Sequence, residues 1–266
     1  MIRALFNYNI KTNRVLFVSL VLVMTMYYSI MISMYDPDSI DAIQAMLDAF
    51  PQEMISALGF TNFGDTLLTF ISGYIYGFLI FLFPMIFTIV TNHKLIASLV
   101  DKGSMTSIVA SPHSRLKIIT TQLLTSILMI SSFFILTTIL SMVVAELMFP
   151  HELDISMYIK LNLYTIVLYL AISSIVFFAS SIANDAKTSL SIGVGIPVSF
   201  LVIQMLSGIG DQFKWLENFT MYTLFDPQKM IDGESFVNIG IATLLLISML
   251  CYGASIYYFN KRNLYI

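Results

Sequence analysis

Polar and apolar positions are unevenly spread along this 266-residue chain. Asp, Glu, Lys and Arg are absent from six long runs, 15–35, 66–93, 118–145, 161–184, 188–210 and 235–260, and every charged residue falls between them. An α-helix rises 1.5 Å per residue, so about 20 apolar residues cross a hydrocarbon core. Each run is long enough. An ionised side chain at the bilayer centre costs about 2.5–3.5 kcal/mol even on lenient insertion scales, which accounts for the charge-free interiors. The pattern predicts an all-α polytopic membrane protein whose six spans cover approximately 15–35, 66–91, 117–147, 159–183, 188–207 and 237–259, in a single domain, 1–266.

Composition strengthens this reading. The chain is 58% hydrophobic and 11% charged, whereas soluble domains carry about a quarter charged residues. Too few polar residues remain to coat a soluble fold. A soluble enzyme, a disordered chain and a basic nucleic-acid binder are excluded, and no nucleic-acid partner is expected. The charges also set the orientation. Segments 1–14, 91–117, 184–187 and 260–266 hold 10 of the 13 Lys and Arg residues, and the alternate segments 36–65, 146–160 and 208–236 hold 14 of the 16 acids. Excess Lys and Arg marks the cytoplasmic side. Both termini are therefore expected inside, as an even number of spans requires. The first apolar run ends in Tyr35-Asp36-Pro37 with no small-residue cleavage site, so it is expected to persist as a helix.

The loops and helices add detail. In the first fourteen residues, Ile2, Leu5, Phe6 and Asn9 share a helical face, with Arg3, Lys11 and Arg14 elsewhere. That suits a short helix in the inner headgroup layer before the first span. Residues 36–65 carry six acids and no bases, with Ile43, Met46, Leu47 and Phe50 at helical spacing, as in an amphipathic helix on the outer surface. Residues 208–236, with Trp215, Phe219, Tyr222 and Phe225, are too apolar for a plain loop and suggest two half-helices re-entering the outer leaflet. The second span holds Gly73, Gly77 and the helix-kinking Pro84. The third is rich in hydroxyls, which can bond their own helix carbonyls. Glu146 ends it and is read as an interfacial acid.

Catalytic motifs are lacking. There is no GxxxxGK[ST] phosphate loop, so the chain is not expected to hydrolyse ATP itself. His93, His113 and His151 are isolated, and the single cysteine, Cys251, permits neither an intrachain disulfide nor a CxxC site. No acid or base sits mid-membrane, which argues against a proton- or sodium-driven carrier and places any energy source outside the polypeptide.

One inner segment carries more information. Asp101-Lys102-Gly103-Ser104 precedes an amphipathic stretch with Met105, Ile108 and Val109 on one edge, and Ser111-Pro112-His113-Ser114-Arg115 closes it. Gly103 allows a sharp turn and Pro112 restarts the chain. The segment resembles the cytoplasmic segment of ABC type-2 exporter permeases, in which an acid-rich turn precedes Gly-Thr, a helix and Ser-Pro-x-Ser-Arg. Leu99 departs from that pattern, as does the lack of a Lys several residues beyond Arg115. Phe259-Asn260-Lys261-Arg262-Asn263-Leu264 is similar to the family's closing Phe-x-Arg-Arg-Asp-Leu.

The resemblance implies the ABC type-2 exporter fold, with an N-terminal interface helix and re-entrant outer helices before the last span, in a bacterial plasma membrane. It implies two ATP-binding partner subunits that bind the ATP and Mg, with no cofactor or metal in this chain, and a second permease copy or paralogue beside it, all surrounded by membrane lipid. It assigns ATPase coupling to Asp101, Lys102, Gly103, Ser104, Met105, Ile108, Arg3 and Lys11. The second and fifth helices would face the substrate, with Tyr74, Phe78, Phe81, Gly195 and Gln204 lining the path. An aromatic, uncharged path fits amphipathic cargo such as peptides, lipids or drugs. The competing expectation is a non-transporting membrane immunity or scaffold protein that binds a peptide.

Overall fold

The computed structural model describes residues 1–36, 49–51, 54–55 and 66–261, without the side chains of Phe78 and Asp211. The expected outer-surface helix around residues 38–50 and the closing motif beyond Lys261 therefore lie largely outside the described residues. Within them the chain is helical, with no strand. Helix α1 is Arg3–Ser33. Helix α2, Leu67–Tyr74, runs through a π-helical turn, Ile75–Leu79, into α3, Ile80–Leu95. Two short inner helices follow, α4 (Ala97–Asp101) and α5 (Ser104–Val109). Then come α6 (Arg115–Met148), α7 (Ile155–Ile182) and α8 (Ala186–Ser207). Two 3-10 segments, Asp211–Phe219 and Met221–Leu224, lead through α9 (Pro227–Ile231) to α10 (Phe236–Lys261).

Among the described residues, six helical stretches are long and apolar enough to cross a membrane: Arg3–Ser33, Ile80–Asp101, Arg115–Met148, Ile155–Ile182, Ala186–Ser207 and Phe236–Lys261. Their ends show why the chain starts and stops where it does. Ser114, Asp154 and Asp185 accept hydrogen bonds from the amides of Lys117, Met157 and Thr188, so a polar cap opens α6, α7 and α8. Thr66 and Thr69 form a reciprocal capping box at α2.

Three features differ from expectation. The N-terminal fourteen residues are not a separate interface helix: α1 is unbroken from Arg3 to Ser33. Residues 1–33 contain no Gly or Pro to interrupt it, and the inner end packs on α6. Asn9 donates to Gln122 Oε1 at 2.5 Å, and Thr121 Oγ1 accepts the free Ile2 amide at 2.9 Å. The second span is continuous from Leu67 to Leu95 but widens into a π-helical turn over Ile75–Leu79, ahead of Pro84. Lastly, the outer segment forms 3-10 turns and a five-residue helix rather than two half-helices, because Gly208, Gly210, Pro227 and Gly233 and the caps at Thr220 and Asp226 punctuate it every few residues.

The bundle is apolar outside, and inside it large apolar and aromatic side chains pack around a set of neutral polar groups. Val15, Val18, Leu22 and Met26 on α1, Leu128, Ile135 and Ile139 on α6, and Ile239, Leu246 and Met249 on α10 face outward. Large apolar side chains on so many outer faces belong in lipid. Helix α7 is a hub: 67% of an 18-residue apolar stretch within it is buried, as in Ile80–Asp101, against 22% in α1 and α8. Neutral hydrogen bonds radiate from it. Asn162 accepts from the Tyr76 hydroxyl at 2.9 Å, and Tyr158 meets Ser141 at 2.6 Å. Ser173 gathers Asn92 (3.0 Å), Ser126 (3.0 Å) and Tyr252 (2.9 Å) from three other helices. Most α6 hydroxyls instead bond their own helix, as Thr120, Thr125, Thr137 and Thr138 do. Glu146 is exposed at the end of α6, 3.4 Å from His151.

Candidate coupling site and transport path

The inner end of the second span breaks at Ile96 (φ −128°, ψ −68°), where α3 gives way to α4. Gly103 then takes φ +69°, and an added Cβ would meet no atom within 4 Å. The glycine is needed for its left-handed backbone and not for space. The next turn is built by the motif itself: the Ser111 hydroxyl donates to the Ile108 carbonyl at 2.6 Å, the His113 amide bonds Ser111 O at 2.7 Å, and Ser114 caps α6.

The expected apolar edge of α5 is narrower than its pattern suggests. Met105 is turned inward and buried with Leu95, Ile96, Leu99, Ile118, Ile119 and Phe177 in a second core beneath the coupling turn. Ile108 and Val109 remain half-buried, and Asp101, Lys102 and Ser104 are exposed. Between α5 and the start of α1 lies a groove of about 500 Å³, lined by Ile2, Leu5, Tyr8, Leu99 and Ile108 with Ser104, Ser107, Ser111 and His113. Arg3 and Lys11 are exposed on the same inner stretch of α1.

Asp101 has a role that its sequence position did not reveal. Its Oδ1 accepts the Ala186 amide at 3.2 Å, which ties this turn to the first residue of α8. The neighbouring Asp185 accepts both the amide and the hydroxyl of Thr188, and these bonds hold its carboxyl below the usual carboxylate range. The turn is thus joined covalently to α3 and by hydrogen bond to α8.

At the opposite end, the five path residues do not converge on one cavity. Phe81 is buried against Tyr222 (4.6 Å between ring centroids) and Phe225 (6.1 Å), both from the outer segment. Gln204 is half-buried and accepts the Thr223 hydroxyl at 3.1 Å, so it reaches the same segment. Tyr74 packs on Phe70 at 4.8 Å. Gly195 lies on the outward face of α8 with nothing within 4 Å of an added Cβ. It shares that exposed face with Thr188, Ser191, Ser199 and Val202. The side chain of Phe78 lies outside the description.

The sequence did not single out Tyr169, Tyr164 or Gly240. Pro84 has no amide hydrogen for the carbonyl four residues earlier, that of Ile80. Tyr169 on α7 fills the gap, its hydroxyl 2.5 Å from Ile80 O and 3.2 Å from Phe81 O. The only available signal was Pro84 itself, which requires a donor from elsewhere. Tyr164 donates to Leu224 O, and Gly240 permits that approach, since a Cβ there would lie 2.5 Å from the same oxygen.

Six apolar spans packed around a largely apolar core with neutral polar contacts, and a turn bonded to two of them, describe a polytopic membrane protein. The chain belongs to the ABC-2 transporter family: the profile described as ABC-2 family transporter protein matches residues 6–264, nearly its whole length. No curated protein and no solved structure matches it. Membership makes the chain a multi-pass membrane component of a transporter and implies an ABC ATP-binding partner.

Proposed function

We propose that this protein is the transmembrane subunit of an ATP-driven exporter in the bacterial plasma membrane, with both termini in the cytosol. It works with two ATP-binding subunits and a second permease copy or paralogue, and moves an amphipathic or hydrophobic substrate outward. A peptide toxin, an antimicrobial peptide, a drug or a lipid fits this description. The observation that carries the reading is the coupling turn: an exposed Asp101–Ser104 corner beside an apolar groove, bonded to Ala186 and continuous with α3. A soluble subunit that grips this corner pushes on the second and fifth spans together. The charge-free span interiors argue against a proton- or sodium-driven carrier.

The small, uncharged outward face of α8 supports pairing with another permease, since small residues let helix backbones approach closely. The membrane subunit is neutral along Phe81, Tyr222 and Gln204, which suits cargo without a fixed charge.

Purification under mild detergent should bring down a nucleotide-hydrolysing companion. Gly103→Pro should leave that complex assembled but abolish substrate-stimulated ATP hydrolysis, because proline cannot adopt φ +69°. A purified particle without an ATPase, or unchanged activity in the variant, overturns the proposal.

A further inference from the structure

Lipid offers no hydrogen bonds, so a polar side chain inside the bundle must find its partner there. Threonines of the spans mostly bond the carbonyl four residues back, as Thr25, Thr121, Thr125, Thr137, Thr138 and Thr165 do. Among the described residues, the buried side-chain atoms left without a protein partner are Asn13 Oδ1, Thr88 Oγ1, Thr91 Oγ1, His93 Nδ1 and Gln122 Nε2. All five lie in the inner halves of α1, α3 and α6.

Three of them belong to one seam. Phe17 of α1 meets Phe87 of α3 and Phe133 of α6 with ring centroids 5.8 and 6.2 Å away, and Phe87 stacks on Phe133 at 4.9 Å. One helical turn inward from this ring cluster stand Asn13 on α1 and Thr91 on α3, both buried. Asn13 Nδ2 donates to the Asn9 carbonyl at 3.0 Å, and the Asn9 side chain donates to Gln122 Oε1, so Gln122 reaches the same junction from α6. The three phenyl rings close the junction on its outer side. Thr88 lies elsewhere: it shares a helix face with Asn92, which is turned to Ser126 and Ser173. His93 is half-buried in the last turn of α3.

The free atoms are complementary. Asn13 Oδ1 accepts, Gln122 Nε2 donates, and the Thr91 hydroxyl does either. A buried water makes about three hydrogen bonds to groups of this kind. A cation calls for oxygen ligands alone, and the Gln122 amide hydrogens oppose one. No hydrogen bond joins α1 directly to α3 among the described residues, so a bridge at this junction is their polar link. We propose that Asn13, Thr91 and Gln122 hold an ordered water molecule between the first three spans, and that this water ties α1 to α3.

The test uses the full chain in its native membranes. Millisecond X-ray radiolysis makes hydroxyl radicals from bound water as well as from bulk, and mass spectrometry locates the side chains they oxidise. Met129, on α6 one turn inward from Phe133, is 3% exposed, as deeply buried as Met24 and Met85 at 1% and 4%. It should oxidise at least fivefold faster than either, and equal rates overturn the proposal. A second arm reads the sign of a small substitution during unfolding of the purified protein in mixed micelles. Thr91→Val keeps the side-chain shape and removes the hydroxyl. If that hydroxyl is bonded to water, the variant should lower the folded-to-unfolded ratio severalfold. An unchanged or higher ratio means that an unpaired hydroxyl was removed, and refutes the site. Asn13→Leu combined with Thr91→Val should cost less than the two separate losses together, because both act through one water; strict additivity counts against it. Exchange of sodium chloride for choline chloride should alter neither readout, and a dependence on sodium assigns the site to a cation and overturns the water.

Discussion

The Tyr169 hydroxyl offers the sharpest test of how the broken second span is held together. Removing it with Tyr169→Phe leaves the Ile80 carbonyl buried without a donor, because Pro84 cannot supply one. An unsatisfied buried acceptor costs about 1–3 kcal/mol, while hydrogen bonds between membrane helices average about 0.6 and reach about 1.7 kcal/mol. The lack of any in-helix alternative puts this bond at the upper end, about 1–2 kcal/mol, or roughly 5- to 30-fold in the folded-to-unfolded ratio. Pro84→Ala restores an amide four residues after Ile80. In that background Tyr169→Phe should cost less than about 0.5 kcal/mol, which gives a coupling of about 1 kcal/mol in the double-mutant cycle. The assay is unfolding of the four purified proteins in mixed micelles against a rising fraction of denaturing detergent, followed by circular dichroism. Equal costs of Tyr169→Phe in both backgrounds would refute the argument, because the hydroxyl would then not be replacing the proline's missing hydrogen bond.

Other sites give further expectations. Gly240→Ala places a methyl 2.5 Å from Leu224 O and should destabilise by about 1–3 kcal/mol in the same unfolding assay, whereas Gly253→Ala, with open space around it, should not. Ser173→Ala strips the hub of the Asn92–Ser126–Tyr252 network and should cost about 1–3 kcal/mol, with loss of the Tyr252 hydroxyl in Tyr252→Phe costing less. Gly103→Ala should cost about 1–2 kcal/mol for its left-handed backbone and lower ATPase stimulation in the intact complex. Asp185 has a lowered carboxyl pKa, so its cap on α8 is fully present above the ordinary carboxylate range and is lost as pH falls through the lowered value. Hydrogen-exchange protection of the Thr188 amide should be flat between about pH 6 and about pH 8 and fall only in acid.

The six spans were legible because lipid imposes a simple rule, a long charge-free run. Helix starts were read less well: the third, fourth and fifth spans were expected from 117, 159 and 188, whereas the caps Ser114, Asp154 and Asp185 open the helices two to four residues earlier. The turn between the second and third spans could be read from Gly103 and the Ser111–Arg115 motif, both of which act locally. What escaped depends on partners distant in sequence. Met105 fits an exposed apolar edge by its spacing, yet the second core claims it. Ile2, Leu5, Phe6 and Asn9 on one face with Arg3, Lys11 and Arg14 elsewhere suggested a surface helix, but Asn9 is buried against Gln122 of α6 and Asn13 is buried too, and polar residues inside a bundle give no distinct periodicity. The outer segment was half visible: the apolar excess of 208–236 was evident, but nothing in a linear pattern says that Tyr222 will find Phe81 141 positions earlier.

The unbroken first helix has a mechanical consequence. A rod of 31 residues is roughly 46 Å long. Asn9 meets Gln122 toward one end, and Met24, Tyr28 and Ile32 are buried in the main core toward the other. A stiff rod gripped along most of its length cannot pivot about one contact, so a push on either tip is passed whole to the helices that hold it.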